Sequence, residues 1–176
     1  MQRQWSKVGL VIVALVVLAA LPGMVAAQGG PEEIEPSSPA VKALYDYFNA
    51  AKSEGAEEFI ADDFVLYINN ALSEFQGVEG FAAWAAPYAV ITPDFHGAIL
   101  EELVGDDFVV VNYLVTGTHT GEVPGLPASG NAIALPGVQV FKLNDEGKIY
   151  EMWNNFDWLS WYVQIGMMEN PFAAAE

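Results

Sequence analysis

The sequence has no cysteine and few basic residues: 6 Lys and Arg stand against 23 Asp and Glu, with 2 His, in 176 residues. The absence of cysteine excludes disulfides, thiolate metal sites and a cysteine nucleophile. Two histidines cannot form a three-histidine zinc site, and no acidic run has the spacing of a calcium loop, so we expect no metal. The net charge of −17 disfavours binding to nucleic acid, because phosphate backbones are also negative.

The first 27 residues are typical of a secretory signal peptide. Arg3 and Lys7 precede an uninterrupted apolar run over residues 8–20, and a Pro-Gly pair leads to the small residues 25–27. This order of basic start, apolar middle and small-residue cleavage site predicts a secreted or extracytoplasmic protein. The alternative is an uncleaved membrane anchor, because residues 8–27 could span a thin bilayer.

The remainder has the length of one domain. Residues 28–38 are rich in Gly, Pro and acid, which predicts a flexible acidic tether. Residues 39–170 form the predicted domain and residues 171–176 a short tail. No apolar run after residue 27 is long enough to cross a membrane, so we expect no membrane contact once the leader is removed.

Apolar periodicity predicts helices before and after a group of strands. Ser38-Pro39 is a helix start, and apolar residues follow at helical spacing to Phe48. A short helix is predicted over residues 56–61, and a second apolar stripe over 81–88 contains Pro87, which should kink or end that helix. A last helical stripe begins at Trp158. The predicted strands are residues 64–69, 95–104, 108–120, 132–143 and 148–156, with a bulge at Pro136-Gly137.

Helices grouped before an antiparallel sheet indicate the α+β class. We expect a strongly bent antiparallel sheet that forms a cone-shaped barrel, with the N-terminal helices packed on its concave side. The apolar interior of such a cone is a natural small-molecule pocket.

Asp157 is the most suggestive carboxylate, because it lies at the last strand-to-helix junction and shares strand parity with Trp153. One interpretation is helix capping. The functional alternative is a general base beside an apolar cavity, where desolvation would raise its pKa.

The two histidines and one strand face supply the other candidates. His119 has the parity of the apolar residues of its strand and is predicted to point the same way. For either histidine the alternative is a hydrogen-bonded strand-end residue, and for His96 this is the simpler interpretation. Tyr67 and Asn69 share one face of the first strand and could bind a polar ligand group, although ordinary half-buried strand residues would look the same.

Six short motifs occur in the order found in one known family. They are Pro93-Asp94-Phe95-His96, Gly117-Thr118-His119-Thr120-Gly121-Glu122, Gly125-Leu126-Pro127-Ala128-Ser129-Gly130, Gly147-Lys148-Ile149, Glu151-Met152-Trp153 with Asp157 four residues on, and Gln164-Ile165-Gly166. From about residue 41 to 166 the chain therefore resembles the SnoaL-like polyketide cyclases, or ester cyclases, of the nuclear-transport-factor-2-like superfamily. The resemblance implies the cone-shaped barrel and a homo-oligomer, a dimer or tetramer.

The resemblance also implies roles for individual residues. In the family's cyclases the aspartate matching Asp157 is the acid/base of an intramolecular aldol closure, and the histidine matching His119 lines the same pocket. Trp153 would form a pocket wall. No metal or organic cofactor is implied. Ala128 and Ser129 depart from the family's Pro and Thr, and a secreted protein is separated from the synthase that would supply a polyketide.

Two functions follow as expectations. The first is cofactor-independent cyclase, isomerase or aldol-type chemistry on a polyketide-like carbonyl compound, with Asp157 and His119 as catalytic residues. Trp153, Tyr67, Asn69 and His96 would then contact the substrate. The second is a non-catalytic secreted binding module. In both, the partner is a small hydrophobic molecule. A third, weaker interpretation is a cone filled by its own side chains.

Overall fold

The structure, a computed structural model, describes residues 32–171. The predicted signal peptide, the first residues of the predicted tether and residues 172–176 of the predicted tail lie outside this range. Within it, helices precede, interrupt and follow the strands. The helices are α1 (Pro39–Asn49), α2 (Gly77–Ile91) and α3 (Trp158–Gln164), with a short 3-10 helix at Ala56–Glu58. The strands are β1 (Ile60–Ile68), β2 (Ala71–Gln76), β3 (His96–Val104), β4 (Phe108–Thr118), β5 (Ala132–Leu143) and β6 (Ile149–Phe156).

The six strands form one mixed sheet in the order β2-β1-β6-β5-β4-β3. The expected α+β class is confirmed, whereas the expected all-antiparallel sheet is wrong at one pair, because β1 and β6 run parallel. The meander from β3 to β6 crosses the sheet and brings its last strand beside the first. All other neighbouring strands are antiparallel.

Strand β2 is absent from the sequence prediction. It forms a hairpin with β1 around Asn69 and Asn70, whose φ angles are 48° and 64°. Two successive left-handed residues make a tight two-residue hairpin turn, and asparagine adopts this conformation more readily than most residues. The Asn-Asn pair is therefore a turn signal in the sequence.

Two predicted irregularities can be compared with the structure. Helix α2 continues through Pro87 to Ile91, so the predicted early end is wrong, while the alternative of a kink at Pro87 stays a prediction. The register between β4 and β5 runs without a shift from Phe108 to Thr118, so the predicted bulge at Pro136-Gly137 is wrong. Gly137 instead makes room for a side chain, because a Cβ added there would lie 2.4 Å from Tyr113 Oη.

Helices α1 and α2 pack on one face of the sheet. The predicted helix start is confirmed: Pro39 opens α1 and the Ser38 hydroxyl accepts a hydrogen bond from the Val41 N–H at 3.5 Å. Alternate strand residues point toward the helices, which buries the apolar side of each strand. The core contains residues from both layers, including Val41, Leu44, Phe64, Leu66, Phe81, Val109, Val111, Phe141, Ile149 and Met152.

The described part of the predicted tether lies along edge strand β3. The Ile34 N–H donates to Ile99 O at 2.8 Å, and Ser37 Oγ donates to Glu102 Oε2 at 2.6 Å. Unpaired backbone groups on an edge strand attract another extended segment. Ile34 and Ser37 thus bond to β3, within a segment whose composition predicts a flexible tether. No helix among residues 32–171 is long and apolar enough to cross a membrane.

Candidate functional site

A cavity of about 300 Å³ lies between the helices and the inner face of the sheet. Its apolar lining comes from α1, α2, α3 and the inward positions of the strands. Aromatic rings dominate that lining: Tyr45, Phe48, Phe75, Trp84, Tyr88, Phe95, Tyr113, Phe156, Trp158 and Trp161. Both the volume and the apolar character are in the range of small-molecule sites.

Four uncharged side chains form a hydrogen-bonded group in this cavity, here called the polar quartet: Tyr45, Tyr113, Gln139 and Asn154. Tyr45 Oη donates to Gln139 Oε1 at 2.8 Å. Gln139 Nε2 donates to Asn154 Oδ1 at 3.1 Å, and Tyr113 Oη donates to the same oxygen at 2.9 Å. The group thus links α1 to three neighbouring strands.

Counting donors shows what the quartet can still bind. Its three internal bonds use both tyrosine protons and one N–H of Gln139. One N–H of Gln139 and both N–H groups of Asn154 are not used within the quartet. These amide donors match an acceptor oxygen, such as that of a ketone or lactone, better than a donor or a cation.

The cavity is electrically neutral. No Asp, Glu, His, Lys or Arg is among the described residues that line it. Desolvation by burial raises the pKa of Tyr45 and of Tyr113 and raises that of Tyr88 to about 12. All three phenols are therefore protonated at neutral pH.

Asp157 lies at the N-cap of α3, is exposed and is not among the cavity-lining residues. Its Oδ1 accepts the Ser160 N–H at 3.0 Å and its Oδ2 accepts the Ser160 hydroxyl at 2.5 Å. These bonds stabilise the carboxylate and hold the pKa of Asp157 below its usual value. The expected upward shift by desolvation is wrong, because the side chain faces solvent.

His119 is buried immediately after β4, and like Asp157 it is not among the cavity-lining residues. Its Nδ1 lies 3.0 Å from Ser129 Oγ and accepts the Ser129 N–H at 3.4 Å. A nitrogen that accepts is unprotonated, so the neutral ring carries its proton on Nε2. That atom is buried and has no hydrogen-bond partner among the described residues.

Of the four residues predicted to contact substrate, none lines the cavity. Tyr67 and Trp153 lie on the outer face of the sheet, with their rings stacked at a centroid distance of 5.0 Å. Asn69 is in the β1–β2 turn and accepts the Phe156 N–H at 2.9 Å. The exposed His96 pairs with Glu33 at 3.1 Å. The structure therefore brings Tyr67 and Trp153 together, but outside the cavity, and does not assemble the four residues into one site.

Sequence reasoning missed Gln139 and Asn154. Both are buried and occupy strand positions whose neighbours of the same parity are apolar, such as Phe141 for Gln139 and Met152 for Asn154. A polar residue at a strand position that the alternation predicts to be buried is unusual and points to a specific hydrogen-bonding role. This signal is present in the sequence at both positions. Within residues 32–171 no group of acidic or histidine side chains could hold a metal ion.

The sequence profile of the SnoaL-like polyketide cyclase family matches residues 39–165. The chain belongs to this family. The match spans all three helices and every residue of the polar quartet, and it includes none of the predicted leader. No curated protein matches the chain at a significant level.

Solved structures share the fold. A candidate SnoaL-like polyketide cyclase from Jannaschia sp. CCS1 is 24% identical with a TM-score of 0.64, and the match covers 76% of this chain and 97% of that one. TsrD from Streptomyces laurentii is 21% identical with a TM-score of 0.66, covering 77% and 100%. A Catenulispora acidiphila protein with a ketosteroid isomerase-like fold is 17% identical with a TM-score of 0.61, covering 74% and 95%. The chain therefore has the nuclear-transport-factor-2-like fold of these proteins.

Proposed function

We propose that the protein binds an uncharged, largely apolar small molecule in the cavity and holds an acceptor oxygen of that molecule at the polar quartet. The observation that carries this proposal is the quartet itself: a neutral hydrogen-bonding group in an aromatic cavity whose described lining has no charged side chain. Family membership supports a small-molecule ligand but does not specify its chemistry.

Two properties of a ligand should decide its affinity for the cavity: its net charge and whether it carries an acceptor oxygen. Apolar rings gain from leaving water and packing against the aromatic lining. A carbonyl oxygen keeps a hydrogen bond by accepting from the Asn154 or Gln139 amide. An anion would lose its hydration and meet no positive partner, which is costly in an apolar site.

Three naphthalene compounds of nearly equal size test this selectivity: 2-acetonaphthone, 2-ethylnaphthalene and 2-naphthoate. Binding can be followed by quenching of tryptophan fluorescence, because Trp84, Trp158 and Trp161 line the cavity. We expect the ketone to bind about five-fold more tightly than the hydrocarbon, the net gain of one hydrogen bond of about 1 kcal/mol. The naphthoate should bind most weakly.

The decisive control is the combined variant Tyr45→Phe, Tyr113→Phe, Gln139→Leu and Asn154→Leu, because it removes every donor of the quartet and keeps side chains of similar size. It should abolish the preference for the ketone over the hydrocarbon. Equal affinity of the wild type for ketone and hydrocarbon, or tightest binding of the naphthoate, would contradict the proposal.

A second candidate function is cofactor-independent cyclase or isomerase chemistry, which family membership supports. Under this hypothesis Asp157 and His119 act as acid/base and polar partner. Such chemistry begins with removal of a proton beside a carbonyl, so it can be detected without the natural substrate. Catalysis predicts that the protein accelerates exchange of the methyl hydrogens of 2-acetonaphthone for deuterium in D2O, measured by mass spectrometry, and that Asp157→Asn abolishes the acceleration. Exchange at the buffer rate would leave binding as the function.

We also propose that the protein is exported and forms a homo-oligomer. The basic, apolar and small-residue order of residues 1–27 supports export. Expression of the full chain in its host should yield mature protein beginning at Gln28 outside the cytoplasm, measured by N-terminal mass spectrometry. Sedimentation of that protein should give a mass of two or four chains, whereas a single-chain mass would contradict the oligomer.

A further inference from the structure

The N-cap of α3 connects Asp157 to the cavity without placing its carboxylate in it. Asp157 accepts two hydrogen bonds from Ser160, one from the backbone N–H and one from the hydroxyl. Its own carbonyl accepts the Trp161 N–H at 3.1 Å. A capping side chain of this kind satisfies a donor that the first helical turn leaves free.

Helix α3 contributes one wall of the cavity but has no buried residue of its own. Trp158 and Trp161 line the cavity, with ring centroids 5.5 Å apart and planes at 79°. Trp158 also contacts Phe156 edge to face at 5.0 Å. A seven-residue helix is too short to be stable through its internal hydrogen bonds alone, so its position depends on how its ends are held.

The far end of α3 is held by Gln164. Its side chain pairs with the backbone of Ala134, accepting the N–H at 2.7 Å and donating to the carbonyl at 3.1 Å. Asn131 Nδ2 donates to the Gln164 carbonyl at 2.9 Å. The C-terminal end is thus bonded to β5, while Asp157 supplies the side-chain hydrogen bonds at the N-terminal end.

We propose that Asp157 is a positioning residue, whose capping of α3 holds Trp158 and Trp161 in place as a wall of the ligand cavity. This role differs from the acid/base role that the family resemblance implies for the same residue. The proposal rests on the proposed function only in taking the cavity as the ligand site.

The first test uses the free protein and needs no ligand. The close, nearly perpendicular indoles of Trp158 and Trp161 should give a near-ultraviolet circular dichroism signal that depends on α3 being ordered. Asp157→Asn keeps an oxygen that can accept the Ser160 N–H, and asparagine is an equally good N-cap. It should keep the signal, whereas Asp157→Ala should lose it. Asp106→Ala, which removes an exposed aspartate from the β3–β4 turn, is the matched control and should match wild type.

The second test measures dissociation of 2-acetonaphthone from the same variants. Asp157→Ala should weaken binding about five-fold through faster dissociation, which corresponds to the loss of a typical cap. Asp157→Asn should remain close to wild type. Weaker binding by alanine together with rescue by asparagine identifies the capping role, whereas proton transfer is measured separately by deuterium exchange, because asparagine cannot replace a carboxylate as a base.

Two results would overturn the positioning role. One is an Asp157→Ala protein with the wild-type dichroism signal, and the other is an Asp157→Asn protein as impaired as Asp157→Ala in dichroism. Failure of the wild type to bind any of the three naphthalene compounds would instead contradict the proposed function. The dichroism comparison would still decide the role of Asp157.

Discussion

The substitution Asn154→Leu tests whether the polar quartet is a connected unit. Asn154 Oδ1 accepts from both Tyr113 and Gln139, and the side chain is buried. Leucine has a similar size but no acceptor. The change should therefore leave two donors unpaired while preserving the volume of the site.

The expected loss of stability follows from those two donors. An unpaired buried donor costs about 1–3 kcal/mol, and the added apolar burial of leucine offsets about 1 kcal/mol. With two unpaired donors we expect a net decrease of about 1–5 kcal/mol in the free energy of unfolding, with a midpoint of about 3 kcal/mol. For a domain of this size the melting temperature should fall by roughly 8 °C.

Urea denaturation followed by tryptophan fluorescence measures this decrease. The matched control is Asn155→Leu, because Asn155 is the adjacent residue of β6 with its side chain on the outer face of the sheet. It should change stability by less than about 0.5 kcal/mol. Adding Tyr113→Phe to Asn154→Leu removes one orphaned donor and should recover about 1 kcal/mol. Equal stability of wild type and Asn154→Leu, or no recovery in the double variant, would refute the reasoning.

Three further predictions concern neighbouring features. Gly137→Ala places a Cβ 2.4 Å from Tyr113 Oη, so it should displace the Tyr113 ring. The displacement should lower the free energy of unfolding in urea by about 1–3 kcal/mol and reduce the preference for 2-acetonaphthone. Unchanged stability and selectivity would contradict this packing. Burial raises the pKa of Tyr88 to about 12 and also raises the pKa of Tyr45 in the folded protein. As the pH rises above about 10, these phenols therefore lose their protons in the unfolded chain before they do in the folded one. The free energy of unfolding should fall from there towards about pH 12. Melting curves from pH 8 to 11 check this, and a flat profile would oppose it. Ser129→Ala removes the hydroxyl from His119 Nδ1 and should cost about 1 kcal/mol, with a change in the imidazole nitrogen chemical shifts by NMR; identical shifts would exclude the bond.

Much of the fold could be predicted because local chemistry and periodicity agree. Helix α1 begins at Pro39, as the Ser38 cap and the proline predict. The strands of the meander lie where apolar and polar residues alternate in the sequence. The parallel pairing of β6 with β1 could not be predicted from local pattern, since it depends on how the chain crosses the sheet. The outcome at Pro87 also depends on tertiary packing, because α2 packs against β1 and β2.

The site was harder to predict than the fold. The sequence points to Asp157 because it is a carboxylate at a strand-to-helix junction. In the structure its side chain caps α3, accepts a hydrogen bond from Ser160 and is exposed to solvent. Trp153 follows the alternation of β6 to the outer face, whereas Asn154, one residue later, enters the cavity. One position in a strand thus separates the two faces. The phase of β6 relative to the core decides which residue can meet a ligand.

The most direct measurement of the central claim is the infrared carbonyl stretch of 13C-labelled 2-acetonaphthone bound to the protein. A hydrogen bond from the quartet weakens the C=O bond, so the account predicts a stretch at lower frequency than in hexane. In the combined variant Tyr45→Phe, Tyr113→Phe, Gln139→Leu and Asn154→Leu, which has no donor of the quartet left, the frequency should return towards the hexane value. A bound ketone that absorbs at the hexane frequency in the wild type, or at the same lowered frequency in both proteins, would contradict the claim that the quartet holds the ligand oxygen.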